Sequence, residues 1–92
     1  GIGNDKQLGC LDFSVIDAWV KVSDTDSFAT ARDLVRKEGL FVGGSAGSNV
    51  WAAIQESKKL SADSNVVTIL CDSADRYISK IFNDDWMKEN GF

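Results

Sequence analysis

The stretch 39–54, GLFVGGSAGSNVWAAI, constrains the fold of this 92-residue chain more than any other. A short apolar run at 40–42 predicts a buried strand, and the residues after the first glycines follow a helical pattern over 46–60. The glycine-rich turn contains the pattern G-x-S-x-G, with Ser45 at its centre. A serine on a sharp strand-to-helix turn is typical of the nucleophile elbow of hydrolases. Ser45 is therefore the first candidate functional residue.

Three interpretations of this turn are open on the residues alone. A nucleophilic serine needs a base, but the chain contains no histidine and no S-x-x-K pattern, so a serine hydrolase would need a base from elsewhere. A helix N-terminus presents free N–H groups to a phosphate, yet both a Walker-loop lysine and a G-x-G-x-x-G pattern are absent. Glycines at this point also simply allow a strand and a helix to approach closely.

Hydrophobic periodicity along the chain predicts alternating strands and helices. The predicted strands are 13–22, 40–42 and 65–70, and the predicted helices are 25–38, 46–60 and 73–83. Ser23 is a candidate N-terminal cap for the first helix, and Gly39 stands where a helix-terminating glycine belongs. The order predicts an α/β fold, a partial three-layer structure with a parallel sheet and flanking helices. Trp86 and Met87 are expected to anchor the tail.

Composition and charge exclude several classes of function. The net charge is −4 and the basic residues are scattered, whereas nucleic-acid binding needs a clustered basic face. No segment approaches the roughly 18 continuous apolar residues of a membrane span. Cys10 and Cys71 lie far apart and histidine is absent, so we expect no metal site and free thiols, as in a reducing cytoplasm. Trp19, Trp51 and Trp86 are expected to be packing residues.

Three longer stretches have a recognisable sequence: EGLFVGGSAGSNVWAAI (38–54), VVTILCDSADRYISKIFNDDWM (66–87) and ENGF (89–92). Together they resemble the cystathionine β-synthase family, whose members are pyridoxal-phosphate enzymes of fold type II. GGSAGS, in place of the GISSGA of cysteine synthases, makes the resemblance specific, and the opening GIGND is similar to the family's GIGYD loop. The resemblance implies that 1–92 is the C-terminal portion of a catalytic domain, a single incomplete domain.

The resemblance also assigns roles to residues around the glycine-rich turn. Ser45 matches the family serine that hydrogen-bonds the pyridine nitrogen of the cofactor, pyridoxal 5'-phosphate. Gly43 and Gly44 match positions that let the backbone approach the flat ring, and Asp72 and Ser73 match the D-S pair near the ring end. The serine would leave the ring nitrogen largely unprotonated, which suits β-elimination and replacement chemistry.

The start of the chain matches the loop that lines the substrate in this family. Gly1 and Gly3 match its glycines, whereas Asn4 stands where the family has tyrosine, and 6–8 and Cys71 also depart from the family pattern. The Schiff-base lysine and the phosphate loop of such enzymes correspond to segments upstream of these residues. We therefore expect no catalytic residue within this chain.

The resemblance implies a fragment of an enzyme that condenses serine with homocysteine to form cystathionine. The alternatives are a cysteine-synthase type of β-replacement and a non-catalytic module that retains the fold to support a partner domain. For the parent protein the resemblance implies amino-acid substrates and a homo-oligomer, with neither nucleic acid nor membrane as a partner. A serine hydrolase remains as the outside alternative.

Overall fold

A computed structural model describes residues 6–92 and shows a helical chain. Its α-helices are α1 (Asp24–Glu38), α2 (Gly44–Ser57) and α3 (Asp84–Glu89), and its 3-10 turns are Phe13–Val15 and Ala74–Tyr77. The predicted substrate-loop residues Gly1, Gly3 and Asn4 lie outside the described residues.

Helix α1 confirms the prediction of a helix over 25–38, and local signals set both of its ends. The Ser23 hydroxyl accepts a hydrogen bond from the Asp26 backbone N–H at 3.0 Å and donates one to the Asp26 carboxylate at 2.6 Å. This satisfies one of the N–H groups that a helix start leaves without a partner. Gly39 ends the helix in the left-handed conformation, with φ of 67°, a region that glycine occupies without steric penalty.

Helix α2 confirms the second predicted helix, although it begins two residues earlier and ends three residues earlier than expected. Its N-terminal cap position is Gly43, which provides no side-chain hydrogen bond. Gly44, Ala46, Gly47 and Ser48 are buried, so the first turn and a half of α2 forms much of the core.

The two long helices pack through small residues. Gly47 faces α1, and a Cβ at this position would lie 2.0 Å from the carbonyl oxygen of Ser27 and 2.8 Å from the backbone nitrogen of Ala31. Beside this contact the Ser48 hydroxyl donates a 2.7 Å hydrogen bond to the Ser27 hydroxyl, and both residues are buried. The Ser27 hydroxyl in turn donates to the carbonyl of Ser23 at 2.7 Å. Both serine hydroxyls inside the helix interface therefore have a hydrogen-bond partner.

The predicted parallel sheet is wrong for this structure, because residues 6–92 contain no strand. The backbone pairing found is a single antiparallel bridge between Val42 and Ser73. The apolar run 65–70 has no regular secondary structure, and its side chains are exposed, Val67 by 90% and Ile69 by 70%. A strand requires hydrogen bonds to a neighbour, and β propensity reflects a fit to a pleated surface that the neighbours provide. The segment 13–22, also predicted as a strand, instead contains the 3-10 turn Phe13–Val15.

The third predicted helix, 73–83, is also wrong in its extent. A 3-10 turn occupies Ala74–Tyr77, further turns follow, and a new helix, α3, begins after Asn83. The Asn83 side chain accepts from the Trp86 backbone N–H at 2.9 Å and so provides a new N-terminal cap. The polar cap residue Asn83 interrupts the apolar pattern and starts a separate short helix.

The tail after α2 is attached to α1 by one arginine and a group of rings. Arg32 donates to the carbonyl of Ile81 at 2.9 Å and forms a salt bridge with Asp84. Trp86 stacks on Phe92 with centroids 6.1 Å apart, and Phe28 of α1 meets Phe92 edge to face at 4.9 Å. Trp86 therefore packs as predicted.

The other tryptophans and the cysteines lie in different surroundings. Trp51 is half-buried, whereas Trp19 is 68% exposed and contacts the ring of Phe13, so the expectation of packing is only partly met there. Cys10 and Cys71 are free and exposed. Within residues 6–92, none of the helices combines the length and the apolar character that crossing a bilayer requires.

Candidate functional site

Ser45 lies at the wall of a cavity of about 240 Å³ between the start of α2 and the tail. It is the second residue of α2, so the first helical turn fixes the position of its side chain. Ser45 is half-buried, and its hydroxyl forms no hydrogen bond with another residue of 6–92. A hydroxyl that lines a cavity without a protein partner is available to donate to, or accept from, a ligand.

The walls of this cavity are largely apolar, with a few polar groups that converge on it. Phe28, Ile81 and Trp86 provide the apolar surface. The polar lining residues are Asp24, Ser27, Ser45, Ser48, Tyr77 and Lys80. Ligand sites commonly have this composition, because apolar walls exclude water while a small number of polar groups orient the ligand.

Ser48 and Ser27 form the polar floor of the cavity, and sequence reasoning did not identify them. Ser48 follows Ser45 by three residues, a spacing that places both side chains on one face of a helix. The pattern S-A-G-S therefore contained a signal for Ser48. Ser27 carried no such signal, because its position depends on the close crossing of α1 and α2 at Gly47.

Gly43 and Gly44, predicted to lie against a cofactor, face different neighbours. Gly44 lines the cavity, and a Cβ there would lie 3.3 Å from the ring of Phe28. Gly43 is buried behind the cavity, where a Cβ would come within 2.2 Å of Asp72 Oδ1 and 2.6 Å of Tyr77 Cε2. The structure thus brings both glycines next to Ser45, and contact with a cofactor stays a prediction for each.

Asp72 and Ser73, predicted to lie near the ring end of the cofactor, lie beside the glycine-rich turn, and their contact with a cofactor stays a prediction. The Gly43 N–H donates to the Asp72 carbonyl at 3.1 Å, and the Ala74 N–H donates to the carbonyl of Phe41 at 3.3 Å. These two backbone contacts attach the segment after 65–70 to the segment that enters α2. The tertiary contact therefore brings together residues about 30 positions apart in the sequence.

Tyr77 connects the cavity with this backbone contact. Its hydroxyl donates a 2.6 Å hydrogen bond to Asp72 Oδ2, while its ring lines the cavity. The hydrogen bond to Asp72, with burial and the negative charge of that carboxylate, raises the pKa of the Tyr77 phenol above its ordinary value. Tyr77 is therefore a neutral hydrogen-bond donor at physiological pH.

The donor set of the cavity fits one part of a planar heteroaromatic cofactor. A half-buried hydroxyl without a partner, next to aromatic walls, suits a ring nitrogen and the faces of the ring. One lysine and no arginine line the cavity, which is a poor set for a phosphate group. The described residues also contain no cluster of three His, Cys, Asp or Glu side chains that is suited to a metal ion.

Comparison with known proteins relates this site to one family. The family model described as pyridoxal-phosphate dependent enzyme matches residues 1–72. The chain is 45% identical over all 92 residues to a cystathionine beta-synthase of Mus musculus and 41% identical to one of Dictyostelium discoideum. It is 42% identical over 80 residues, 87% of its length, to a protein of Bacillus subtilis named O-acetylserine dependent cystathionine beta-synthase.

The chain matches only a part of each of these relatives. The chain spans 16% of the mouse protein, 18% of the Dictyostelium protein and 26% of the Bacillus protein. The similarity therefore concerns one segment of a longer enzyme, and that segment includes the whole of the glycine-rich turn. The family model covers more than half of the chain, and the chain belongs to the pyridoxal-phosphate dependent enzyme family.

Proposed function

We propose that this chain is part of a cystathionine β-synthase that joins serine to homocysteine. In this reaction the Cβ–O bond of serine breaks, a Cβ–S bond to homocysteine forms, and the serine hydroxyl leaves as water with the thiol proton. The names of the similar proteins support the reaction, and the observation that carries the role of this segment is the free Ser45 hydroxyl at the cavity wall.

Ser45 is proposed to hydrogen-bond the pyridine nitrogen of the cofactor. Pyridoxal phosphate, when bound, supplies the electron sink for bond changes at the substrate. A serine hydroxyl is neutral at physiological pH, so it donates to an unprotonated nitrogen, whereas a carboxylate at the same point would favour a protonated one. Ser45 would in this way limit how strongly the ring withdraws electrons from the substrate.

The other residues of the cavity are proposed to bind and orient the ring. Phe28 and Trp86 would contact it with apolar surface and exclude water, and Gly44 leaves space for it at the start of α2. The cavity lacks a set of groups for phosphate, so we assign the cofactor phosphate and the Schiff-base lysine to other parts of the full-length protein.

Three alternatives to this reaction make different predictions about substrates. The Bacillus relative is named for O-acetylserine, which has acetate rather than hydroxide as its leaving group, so an activated serine is the second candidate substrate. A cysteine-synthase type of reaction would use sulfide in place of homocysteine. A non-catalytic module would bind the cofactor without turning over any of these substrates.

The test uses the full-length protein with three substrate pairs: serine with homocysteine, O-acetylserine with homocysteine, and O-acetylserine with sulfide. Cystathionine production from the first pair at the highest kcat/KM supports the proposal, and preference for another pair replaces it with the corresponding alternative. Cofactor binding without turnover of any pair would identify a non-catalytic module. A full-length protein that binds no pyridoxal phosphate would contradict the proposal.

The role of Ser45 needs its own variants. Ser45→Ala is expected to lower kcat/KM about tenfold, because a hydrogen bond to a ligand is worth roughly 1–1.5 kcal/mol. Ser45→Asp is expected to change the absorption spectrum of the bound cofactor, because a carboxylate favours a protonated ring nitrogen. Ser57→Ala is the matched control, since Ser57 is an exposed serine at the other end of α2. Equal effects of Ser45→Ala and Ser57→Ala would refute the assignment.

We further propose that the full-length protein is a cytoplasmic homo-oligomer that acts on amino-acid substrates. The free, exposed thiols of Cys10 and Cys71 are consistent with a reducing compartment. Exposed apolar side chains such as Trp19 and Val67 support a further contact in the complete assembly. Light scattering measures the oligomeric state, and cell fractionation measures the compartment.

A further inference from the structure

Helix α2 begins in a buried environment without a capping side chain of its own. The first N–H groups of any helix have no partner inside the helix, and a polar side chain at the cap position usually accepts from one of them. The cap residue of α2 is Gly43, and no side-chain cap bond is formed. Gly44 and Ala46 in the first turn are buried, so water does not readily replace that acceptor.

The carboxylate of Asp72 occupies the place that a capping side chain at Gly43 would take. Asp72 Oδ1 lies 2.2 Å, and the carboxyl carbon 3.0 Å, from the position of a Cβ built on Gly43. Oδ1 is buried and accepts no hydrogen bond from any group within residues 6–92. Burying a carboxylate oxygen without a hydrogen bond costs folding free energy unless another interaction stabilises the charge. The positive end of a helix dipole is such an interaction.

Two contacts hold the Asp72 carboxylate at this point. The Tyr77 hydroxyl donates to Oδ2 at 2.6 Å, and the backbone carbonyl of Asp72 accepts from the Gly43 N–H at 3.1 Å. The Tyr77 ring packs on the same side of Gly43, because its Cε2 atom lies 2.6 Å from the same Cβ position. A side chain at Gly43 therefore does not fit in this arrangement.

We propose that the Asp72 carboxylate, oriented by Tyr77, stabilises the N-terminus of α2 through its charge, without a side-chain hydrogen bond to the helix, and thereby positions Ser45. The carboxylate stabilises the first turn of α2, and Ser45 is the second residue of that turn. Asp72 and Tyr77 are thus positioning residues, and their effect on the cofactor acts through Ser45. This inference rests on the proposed role of Ser45 only for its consequence in cofactor binding.

The first test measures amide hydrogen exchange in the cofactor-free, full-length protein. Asp72→Ala and Tyr77→Phe are expected to accelerate exchange at the Gly47 amide, which donates to the Gly43 carbonyl in the first turn, about two- to fivefold, the range for a favourable charge at a helix end. Asp72→Asn keeps the shape of the side chain but removes its charge, so it is expected to accelerate exchange as Asp72→Ala does. Asp75→Asn, which removes an exposed carboxylate three residues away, is the matched control and is expected to leave the Gly47 amide unchanged.

The second test measures the affinity for pyridoxal phosphate in a double-mutant cycle. If Asp72 acts through Ser45, Asp72→Ala weakens cofactor binding in the wild-type background and has little further effect when Ser45→Ala is already present. Unchanged exchange at the Gly47 amide in both Asp72→Ala and Asp72→Asn would overturn the stabilising role of the Asp72 charge. A change in exchange in a protein that binds no cofactor would refute only the proposed function, because the exchange experiment needs no cofactor.

Discussion

The α-carbon of Gly47 lies so close to α1 that a Cβ on it would be 2.0 Å from the carbonyl oxygen of Ser27. The neighbour is backbone, which cannot rotate away as a side chain can. Ala31 lies at the same contact, with its own Cβ 3.0 Å from that position. The absence of a side chain at Gly47 therefore sets the distance between the two helices that form the cavity floor.

Gly47→Ala is expected to destabilise the protein by about 3 kcal/mol, because overpacking of a closely fitted contact costs roughly 1–3 kcal/mol and here the obstacle is backbone. Chemical denaturation with a two-state fit measures the change in the free energy of unfolding. Gly9→Ala is the control, since nothing lies within 4 Å of a Cβ at Gly9. Equal stability of the two variants would contradict the close approach of the helices.

The buried hydrogen bond between Ser27 and Ser48 gives a second prediction. Ser48→Ala removes the donor at 2.7 Å and is expected to cost about 1 kcal/mol, the typical net value of a hydrogen bond. Ser27→Ala leaves Ser48 a longer bond to the Gly44 carbonyl at 3.3 Å, so part of the loss is recovered. A double-mutant cycle on the free energy of unfolding measures the coupling, and an additive result would show that the bond contributes nothing.

Arg32 is expected to stabilise the tail more than its acidic partner does. Arg32→Ala removes donors to both the Ile81 carbonyl and Asp84, whereas Asp84→Asn removes only a charge at an exposed position. Thermal unfolding should therefore show a larger decrease in Tm for Arg32→Ala. The opposite order would mean that the ion pair, and not the contact with the backbone, attaches the tail.

The same ion pair predicts an acid-dependent change in stability. The hydrogen bond from Arg32, reinforced by its charge, lowers the pKa of Asp84 below the ordinary value of 3.8. A lowered pKa in the folded state contributes stability above pH 3.8 that is lost as the pH falls through the folded value. Between pH 2 and pH 6, the free energy of unfolding of Asp84→Asn should therefore change less with pH than that of the unaltered protein.

Tyr77 is expected to make the stability of the protein depend on pH in the alkaline range. Its pKa is raised above 10.0 mainly by the hydrogen bond to Asp72, so the folded state holds the phenol proton more tightly than the unfolded state does. The contribution is fully present below pH 10 and is lost as the pH rises through the folded value. Denaturation from pH 8 to pH 11 should show a smaller loss in Tyr77→Phe, and an identical loss would contradict the pairing.

The two long helices were predictable from the sequence because their signals are local. Apolar residues at helical spacing, the cap at Ser23 and the glycine at Gly39 all act within a few residues of the helix that they define. The predicted strands 13–22, 40–42 and 65–70 were wrong because a strand needs a neighbour. Composition at 65–70 indicates β propensity, but the residues described by the structure provide no partner for this segment.

The candidate site was predictable in part. The glycine-rich turn placed Ser45 at the start of a helix, and the structure shows its hydroxyl at a cavity wall. The resemblance to pyridoxal-phosphate enzymes predicted that Asp72 belongs to the same neighbourhood. The contact of Gly43 with Asp72 and Tyr77 had no signal in residue spacing, because it joins two segments that only tertiary packing brings together.

The sequence by itself determined the family, the two helices and the turn that presents Ser45, because motifs, periodicity and caps are properties of neighbouring residues. Only the tertiary structure decided what surrounds that turn. The crossing at Gly47 places Ser27 beneath Ser48, and the bridge between Val42 and Ser73 brings Asp72 to the start of α2. Contacts of this kind depend on distances between remote segments, which packing and backbone hydrogen bonding set.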